Sequence, residues 1–285
     1  MTINSDDFSK WIGKTETTAD DVTLAPLNAM AATLDKKFPR FQVGDQIPAL
    51  WHWAYFLDPA PQKKLAKDGH PERGDFLPPI PLPRRMWAGS RLHFISPIHA
   101  GDHLSRKSTI KNITIKEGKS GLLAFVNVLH EISTPSGTAL SEEHDIVYRE
   151  KPSLNNSTSQ RNIVAAPVSS DFSARINPDP VFLFRYSALT FNGHRIHYDR
   201  EYARLEEGYP GLIVHGPLLA TLLVETFAEH NPSAEIKKFE FRATNPVFDI
   251  DSFEVCGMNP NSDGEASVWI KNHKGNLCMQ AQISV

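Results

Sequence analysis

The 285-residue sequence holds only two cysteines, Cys256 and Cys278, and they form no closely spaced pair. That argues against a disulfide framework or a thiolate zinc site and fits a reducing compartment. No apolar run approaches the roughly 20 residues that a membrane-spanning helix needs. Met1 to Trp11 has neither an apolar core nor an arginine-rich amphipathic pattern. Neither a signal nor a transit peptide is expected, and a cytoplasmic protein is. An excess of one charge is missing too: 30 Lys and Arg stand against 33 Asp and Glu, a formal charge of -3. Such a balance leaves no footprint for nucleic acid or an anionic membrane. A glycine-rich phosphate loop, a Walker-type lysine and a serine nucleophile elbow are all absent, which argues against nucleotide-dependent and serine-hydrolase chemistry.

What is present is ample apolar material, 40% of the residues, arranged in a repeating order. Asp20 to Asp35 has helical spacing at Leu24, Leu27, Met30, Ala31 and Leu34. Pro48 to Leu57 predicts a second, aromatic-rich helix, and Gly69 to Arg85 an extended, proline-rich loop. From Met86 the pattern turns to strands, over Leu104 to Lys116, Gly121 to Ser133 and Ala139 to Arg149. Glu150 to Asp179, rich in Ser, Asn and Pro, predicts a linker. A helix over Leu212 to His230 then precedes strands at Phe239 to Thr244, Asp251 to Cys256, Ala266 to Asn272 and Asn276 to Val285.

Pro97-Ile98, Asp102 and Leu104 recur at identical spacing as Pro246-Val247, Asp251 and Phe253. The order therefore favours two copies of one helix-plus-sheet unit over a single α+β domain. The expected division is 1–150, a linker over 151–179, and 180–285.

The densest polar cluster is Phe191-Asn192-Gly193-His194-Arg195-Ile196-His197-Tyr198-Asp199. Gly208 to Leu218 follows, and within it Gly216-Pro217 marks a helix start. Such an end offers free backbone N–H groups and a positive dipole end, suited to a carbonyl oxygen that gains charge. Three readings compete. Histidine beside that helix end suits proton transfer at neutral pH. His194, His197 and Asp199 could hold a metal, although the spacing is not a recognised metal pattern. The histidines could also be purely structural.

Tyr186 to Asp199 resembles the signature of the R-specific enoyl-CoA hydratases, the MaoC-like hotdog proteins, and His215-Gly216-Pro217-Leu218 resembles the start of that family's central helix. Pro79 to Gly89 and Lys119-Ser120-Gly121 are similar to its double-hotdog branch, which includes mesaconyl-C4-CoA and itaconyl-CoA hydratases and 3-hydroxyacyl-thioester dehydratases. The resemblance covers almost the whole chain. It implies an α+β double hotdog, two helix-wrapped antiparallel sheets in one chain. It also implies a hydro-lyase acting on acyl-CoA with no metal and no cofactor beyond the substrate's own CoA, and a homo-oligomer, a dimer of double hotdogs.

His197 is then the general acid/base and Gly216 the N–H donor to the thioester oxygen. The wider family has aspartate where this chain has Asn192, and an amide cannot act as a carboxylate base. Asn192 is therefore assigned to orienting water. Tyr186, His194 and His215 are expected beside the substrate. If Leu34-Asp35 takes the place of Phe191-Asn192, the residue five later is Arg40, so the first half lacks a catalytic pair and the chain has one active site.

The expected substrate is a short branched dicarboxylyl thioester such as mesaconyl-C4-CoA or itaconyl-CoA. Its free carboxylate favours arginine. Arg84 and Arg85 lead, with Arg185 and Arg195 as further choices, and Arg84-Arg85 could equally meet CoA phosphates. The alternatives are a linear 3-hydroxyacyl-thioester dehydratase of fatty-acid metabolism and a non-catalytic acyl-CoA-binding module.

Overall fold

A computed structural model describes residues 5–36, 40–118, 121–150 and 163–285. Ten antiparallel strands form one continuous sheet. In chain order they are β1 (Thr15–Asp21), β2 (Arg84–Phe94), β3 (His103–Gly118), β4 (Gly121–Thr134), β5 (Gly137–Arg149), β6 (Phe172–Ile176), β7 (Lys238–Ala243), β8 (Phe253–Gly257), β9 (Glu265–Asn272) and β10 (Leu277–Ser284). Across the sheet they run β1-β3-β4-β5-β2-β7-β10-β9-β8-β6.

Read outward from the central β2–β7 pair, the two halves match strand for strand, so the fold is a double hotdog: two five-stranded units joined edge to edge. The repeated Pro97 and Pro246 segments occupy equivalent turns. Ile47 N–H donates to Ile98 O at 2.9 Å, and Val214 N–H donates to Val247 O at 2.9 Å.

The described residues include three α-helices, α1 (Leu24–Thr33), α2 (Pro180–Leu189) and α3 (Gly216–His230); α1 and α2 pack on each other and α3 packs on the sheet. Asp179 caps α2 by accepting the Phe182 N–H at 2.8 Å, and Pro180 fills the first turn, where no N–H is needed. α3 buries Leu218, Leu219, Leu222, Leu223, Val224 and Phe227 and packs on β8, β9 and β10. A buried cluster runs from Leu27 and Trp51 through α3 to Ile283, so a single core spans both units.

Several elements differ from the sequence expectation. Helical spacing at 20–35 gives α1 only over Leu24–Thr33, and the polar Thr15–Asp21 before it is an edge strand paired to β3. The expected helix over Pro48–Leu57 shrinks to a 3-10 turn, Trp51–Ala54, entered through Leu50 at φ 71. In the first unit this turn stands where α3 stands in the second, so the first sheet is not wrapped by a long helix. Phe172–Ile176, inside the expected linker, is β6 and pairs with β8. Lys119, Ser120 and residues 151–162 lie outside the described residues.

Candidate active site

His197 sits in a 3-10 turn, Arg195–His197, and is 7% exposed. Its Nδ1 lies 2.7 Å from the carbonyl of Ile213. A carbonyl only accepts, so Nδ1 carries the proton and Nε2 keeps its lone pair. Burial pushes the imidazole down to about 4, so the neutral, proton-accepting form prevails at pH 7.

His215 lies flat against it, with ring centroids 3.7 Å apart and planes 18° from parallel. Its Nε2 is 2.8 Å from Ser187 Oγ, and the residue is fully buried. The expected substrate contact of His215 is therefore corrected: it backs the His197 ring and does not line the cavity. Tyr186, also fully buried, packs 5.1 Å from His215 and reaches the cavity wall.

His197 faces a cavity of about 1760 Å³ that runs from the second unit into the first, where the missing helix leaves room. Gly216, the first residue of α3, borders it, and its N–H joins no backbone hydrogen bond. A side chain there would approach the Trp87 carbonyl, 3.7 Å from an added Cβ, so β2 of the first unit lies against this helix end. Asn192 lines the same cavity, and its Oδ1 accepts the His194 N–H at 3.0 Å. That turn occupies one lone pair of Oδ1 and leaves the amide NH₂ free of any hydrogen bond among the described residues.

Asp199 accepts Arg195 at 2.7 Å and the Tyr202 N–H at 3.0 Å, which locks the segment behind His197. The set His194, His197, Asp199 is not assembled as a metal site.

Of the arginines, Arg84 spends its guanidinium on Glu207, at 2.8 Å to the carboxylate and 2.7 Å to the carbonyl. Arg195 is paired with Asp199, and Arg185 is exposed on a separate small pocket. Arg85 lines the cavity half-buried, with no carboxylate at ion-pair distance among the described residues.

Sequence reasoning named Arg85 but missed two other residues that the first unit supplies. Asp68 and His70, at the start of the stretch expected to be extended, dock on the His194 segment. His70 Nδ1 is 3.2 Å from Asp68 Oδ2, and the His70 ring lies 4.1 Å from that of His194, which in turn is 5.5 Å from His197. Arg195 N–H donates to Asp68 O at 2.9 Å. These three residues could also offer ligand atoms to an ion, all within 4.8 Å of one another.

Gly69 and Gly193 touch backbone to backbone. An added Cβ on Gly69 would collide with the Gly193 carbonyl, and Gly69 has φ +89. Gly69→Ala is accordingly expected to cost about 2–4 kcal/mol in strain and overpacking, read as a lowered urea midpoint together with reduced turnover.

Further along the wall, Glu142 is 2% exposed and receives His144 at 2.6 Å, His52 at 3.0 Å and Trp53 Nε1 at 3.1 Å. These donors hold its carboxyl well below the usual range despite burial.

The description of the family model that matches residues 50–249 is hydroxyacyl-thioester dehydratase type 2. The chain belongs to that family. It is 48% identical over 261 residues to a mesaconyl-C(4)-CoA hydratase of Chloroflexus aurantiacus, covering 92% of each chain. It is 27% identical over 263 residues to the mitochondrial hydroxyacyl-thioester dehydratase type 2 of Schizosaccharomyces pombe, covering 83% of this chain and 88% of that one. A Mycobacterium tuberculosis protein with a double hotdog fold superposes with a TM-score of 0.56 at 13% identity, over 99% of this chain and 97% of the other. That last likeness shows the fold alone. As a member of this family the chain is an enzyme of the hydratase/dehydratase type, a hydro-lyase using acyl thioesters. No described helix is long and apolar enough to cross a membrane.

Proposed function

We propose that the enzyme adds water reversibly across the double bond of a short dicarboxylyl-CoA such as mesaconyl-C4-CoA or itaconyl-CoA. The observation that carries this reading is the character of the wall around and beyond His197. It presents Arg85, His70 and His194, and further in the ionised Glu142 with its histidines. A long alkyl chain lying along this part of the wall would strip the hydration of Arg85, Glu142 and the polar imidazoles beside them, which costs free energy with no hydrogen bond in return. A compact acyl group with its own carboxylate would not. The 48% identity to a mesaconyl-C(4)-CoA hydratase points the same way.

In the proposed reaction Asn192 holds the water oxygen through its amide NH₂, and His197 Nε2 takes a proton from that water. The water oxygen bonds to C3 of the acyl group, and the double-bond pair moves into the thioester as an enolate whose oxygen receives the Gly216 N–H. The proton held on His197 then passes to C2. The route uses no cofactor. A cytoplasmic setting and a dimer of double hotdogs belong to the same proposal, on cysteine usage and the family resemblance respectively.

The test is loss of enoyl-thioester absorbance with crotonyl-, mesaconyl-C4- and itaconyl-CoA in parallel. A kcat/KM at least about tenfold higher on a dicarboxylyl substrate than on crotonyl-CoA is expected, about 1.4 kcal/mol of discrimination. Preference for crotonyl or longer linear thioesters would instead support the fatty-acid dehydratase reading, and no turnover on any would support a binding module.

A further inference from the structure

The first unit delivers Asp68 and His70 across the interface onto the segment that carries His197, at the cost of two glycines in backbone contact. The proton-transfer steps above use neither residue, nor Arg85. His70 and His194 lie within two side chains of the catalytic imidazole, and they line one cavity with Asp68 and Arg85. We propose that Arg85, His70 and His194 form the seat for the free carboxylate of the acyl group, with Asp68 as the residue that positions His70. The proposal rests on the dicarboxylyl reading above.

Three observations carry it. The first is reach. In a C4 dicarboxylyl thioester such as mesaconyl-C4-CoA, the free carboxylate hangs by one C–C bond, about 1.5 Å, from the carbon that receives water. Its seat must therefore adjoin His197 on the cavity side. His215 occupies the other face of that ring and is sealed, so the cavity-side neighbours are His194, 5.5 Å away, and His70 behind it.

The second is charge. Arg85 lines the cavity with no carboxylate at ion-pair distance among the described residues, whereas Arg84 and Arg195 are each paired and Arg73 gives its guanidinium to the carbonyls of Ile80, Leu82 and Pro83. The positive charge of Arg85 acts on both His70 and His194, with which it shares the wall of one cavity. A half-buried guanidinium facing a cavity gains most from an anionic ligand held by two parallel hydrogen bonds.

The third is orientation. Asp68 accepts both from the ring of His70 at Nδ1, 3.2 Å, and from its backbone N–H at 3.0 Å. That fixes the ring and directs Nε2 away from Asp68. The charged and titratable groups acting on His70 are Asp68, Arg73, Arg85 and, through ring contact, His194.

The experiment compares kcat and KM on mesaconyl-C4-CoA and crotonyl-CoA for the wild type and for Arg85→Gln, Arg85→Lys, His70→Gln and Asp68→Asn. Arg85→Gln and His70→Gln should raise KM for mesaconyl-C4-CoA by about 10–100-fold while leaving kcat/KM on crotonyl-CoA within about threefold, as loss of one charged partner does. Arg85→Lys should recover part of the loss, and Asp68→Asn should show a smaller KM effect of the same pattern.

Equal losses on both substrates would overturn the seat and make these residues part of the chemistry. A wild type that does not prefer mesaconyl-C4-CoA would overturn the substrate reading itself, a different and recognisable result. Because a variant could misfold, binding of the saturated analogues methylsuccinyl-C4-CoA and butyryl-CoA is also measured on the wild type by calorimetry, before and after EDTA. Tighter binding of the dicarboxylyl analogue, unchanged by EDTA, is expected. Equal binding of the two, or a preference abolished by EDTA because Asp68, His70 and His194 had held a metal, would overturn the proposal.

Discussion

His197→Ala is expected to fold and to lose about 10³-fold or more in kcat/KM on an enoyl thioester, at the upper part of what one positioned acid–base group supplies. The ring is the cavity-facing imidazole whose tautomer is fixed by an acceptor, Ile213 O, and whose opposite nitrogen is left basic. His215 cannot replace it, because it is sealed behind the ring. The Gly216 N–H would remain, so a residual rate above that in buffer should survive.

The structural loss is modest: one hydrogen bond to a carbonyl and one ring stack, about 1–2 kcal/mol. His197→Gln separates the two roles, since its NH₂ can still donate to Ile213 O but cannot hold a proton in the reaction. It should recover stability without recovering rate. Turnover by absorbance and unfolding by circular dichroism check both statements, and an alanine variant within tenfold of wild type would remove His197 from the mechanism. A base that sits near 4 stays deprotonated over the neutral range. Its own titration should therefore leave the rate nearly flat from pH 8 down to about 5.5.

How much of this was legible beforehand divides along the interface. The duplicated order of elements was visible because Pro97 and Pro246 open the same turn before the same strand, and the ten-strand sheet repeats that order. The site on the second unit was visible because its residues are close in sequence: Asn192, His197 and Gly216 fall within one helix–turn–helix passage.

The comparison of the two units was readable only to within one position. Asp35 and Phe191 share the left-handed conformation, at φ 52 and 49, so it is Lys36 that stands in the place of Asn192. From Lys36 to Ile47 the chain advances eleven positions, and from Asn192 to Val214 it advances 22. The passage is thus eleven positions shorter in the first unit, a larger difference than the single exchange of histidine for Arg40 that the sequence suggested.

Of what the first unit contributes, Arg85 was legible as a basic residue in a proline-rich stretch, and Asp68 and His70 were not. Asp68 and His70 meet their partners more than a hundred positions away, through backbone contacts that no local period announces. Thr15–Asp21 was hidden for a related reason: a polar edge strand is defined by its pairing with β3, and the alternation of a half-buried strand is absent from it.

The concentration of neutral, buried imidazoles makes acid the weak point of the fold. His130, His194, His197 and His215 all have their charged form disfavoured first of all by burial. Their folded pKa values lie below the unfolded reference of about 6.5, so below that pH the unfolded chain binds protons that the folded chain refuses. The sign follows: this contribution is full above about pH 7 and is lost as the pH falls through 6.5 toward the folded values.

By pH 5.5 a histidine that stays neutral in the folded chain costs about 1.4 kcal/mol. His197, held down to about 4, loses nearly that much, and His130, His194 and His215 add to the loss in the same direction. Glu142 adds nothing in this window. Its depressed carboxyl loses its stabilising share only below its unfolded value near 4.5. Urea unfolding at pH 7.5, 6.5 and 5.5 should show the unfolding free energy falling with a slope greater than one proton. An unfolding free energy that stays level between pH 7.5 and 5.5 would mean that these rings are protonated in the folded protein, and with that the basic Nε2 of His197 would be lost as well.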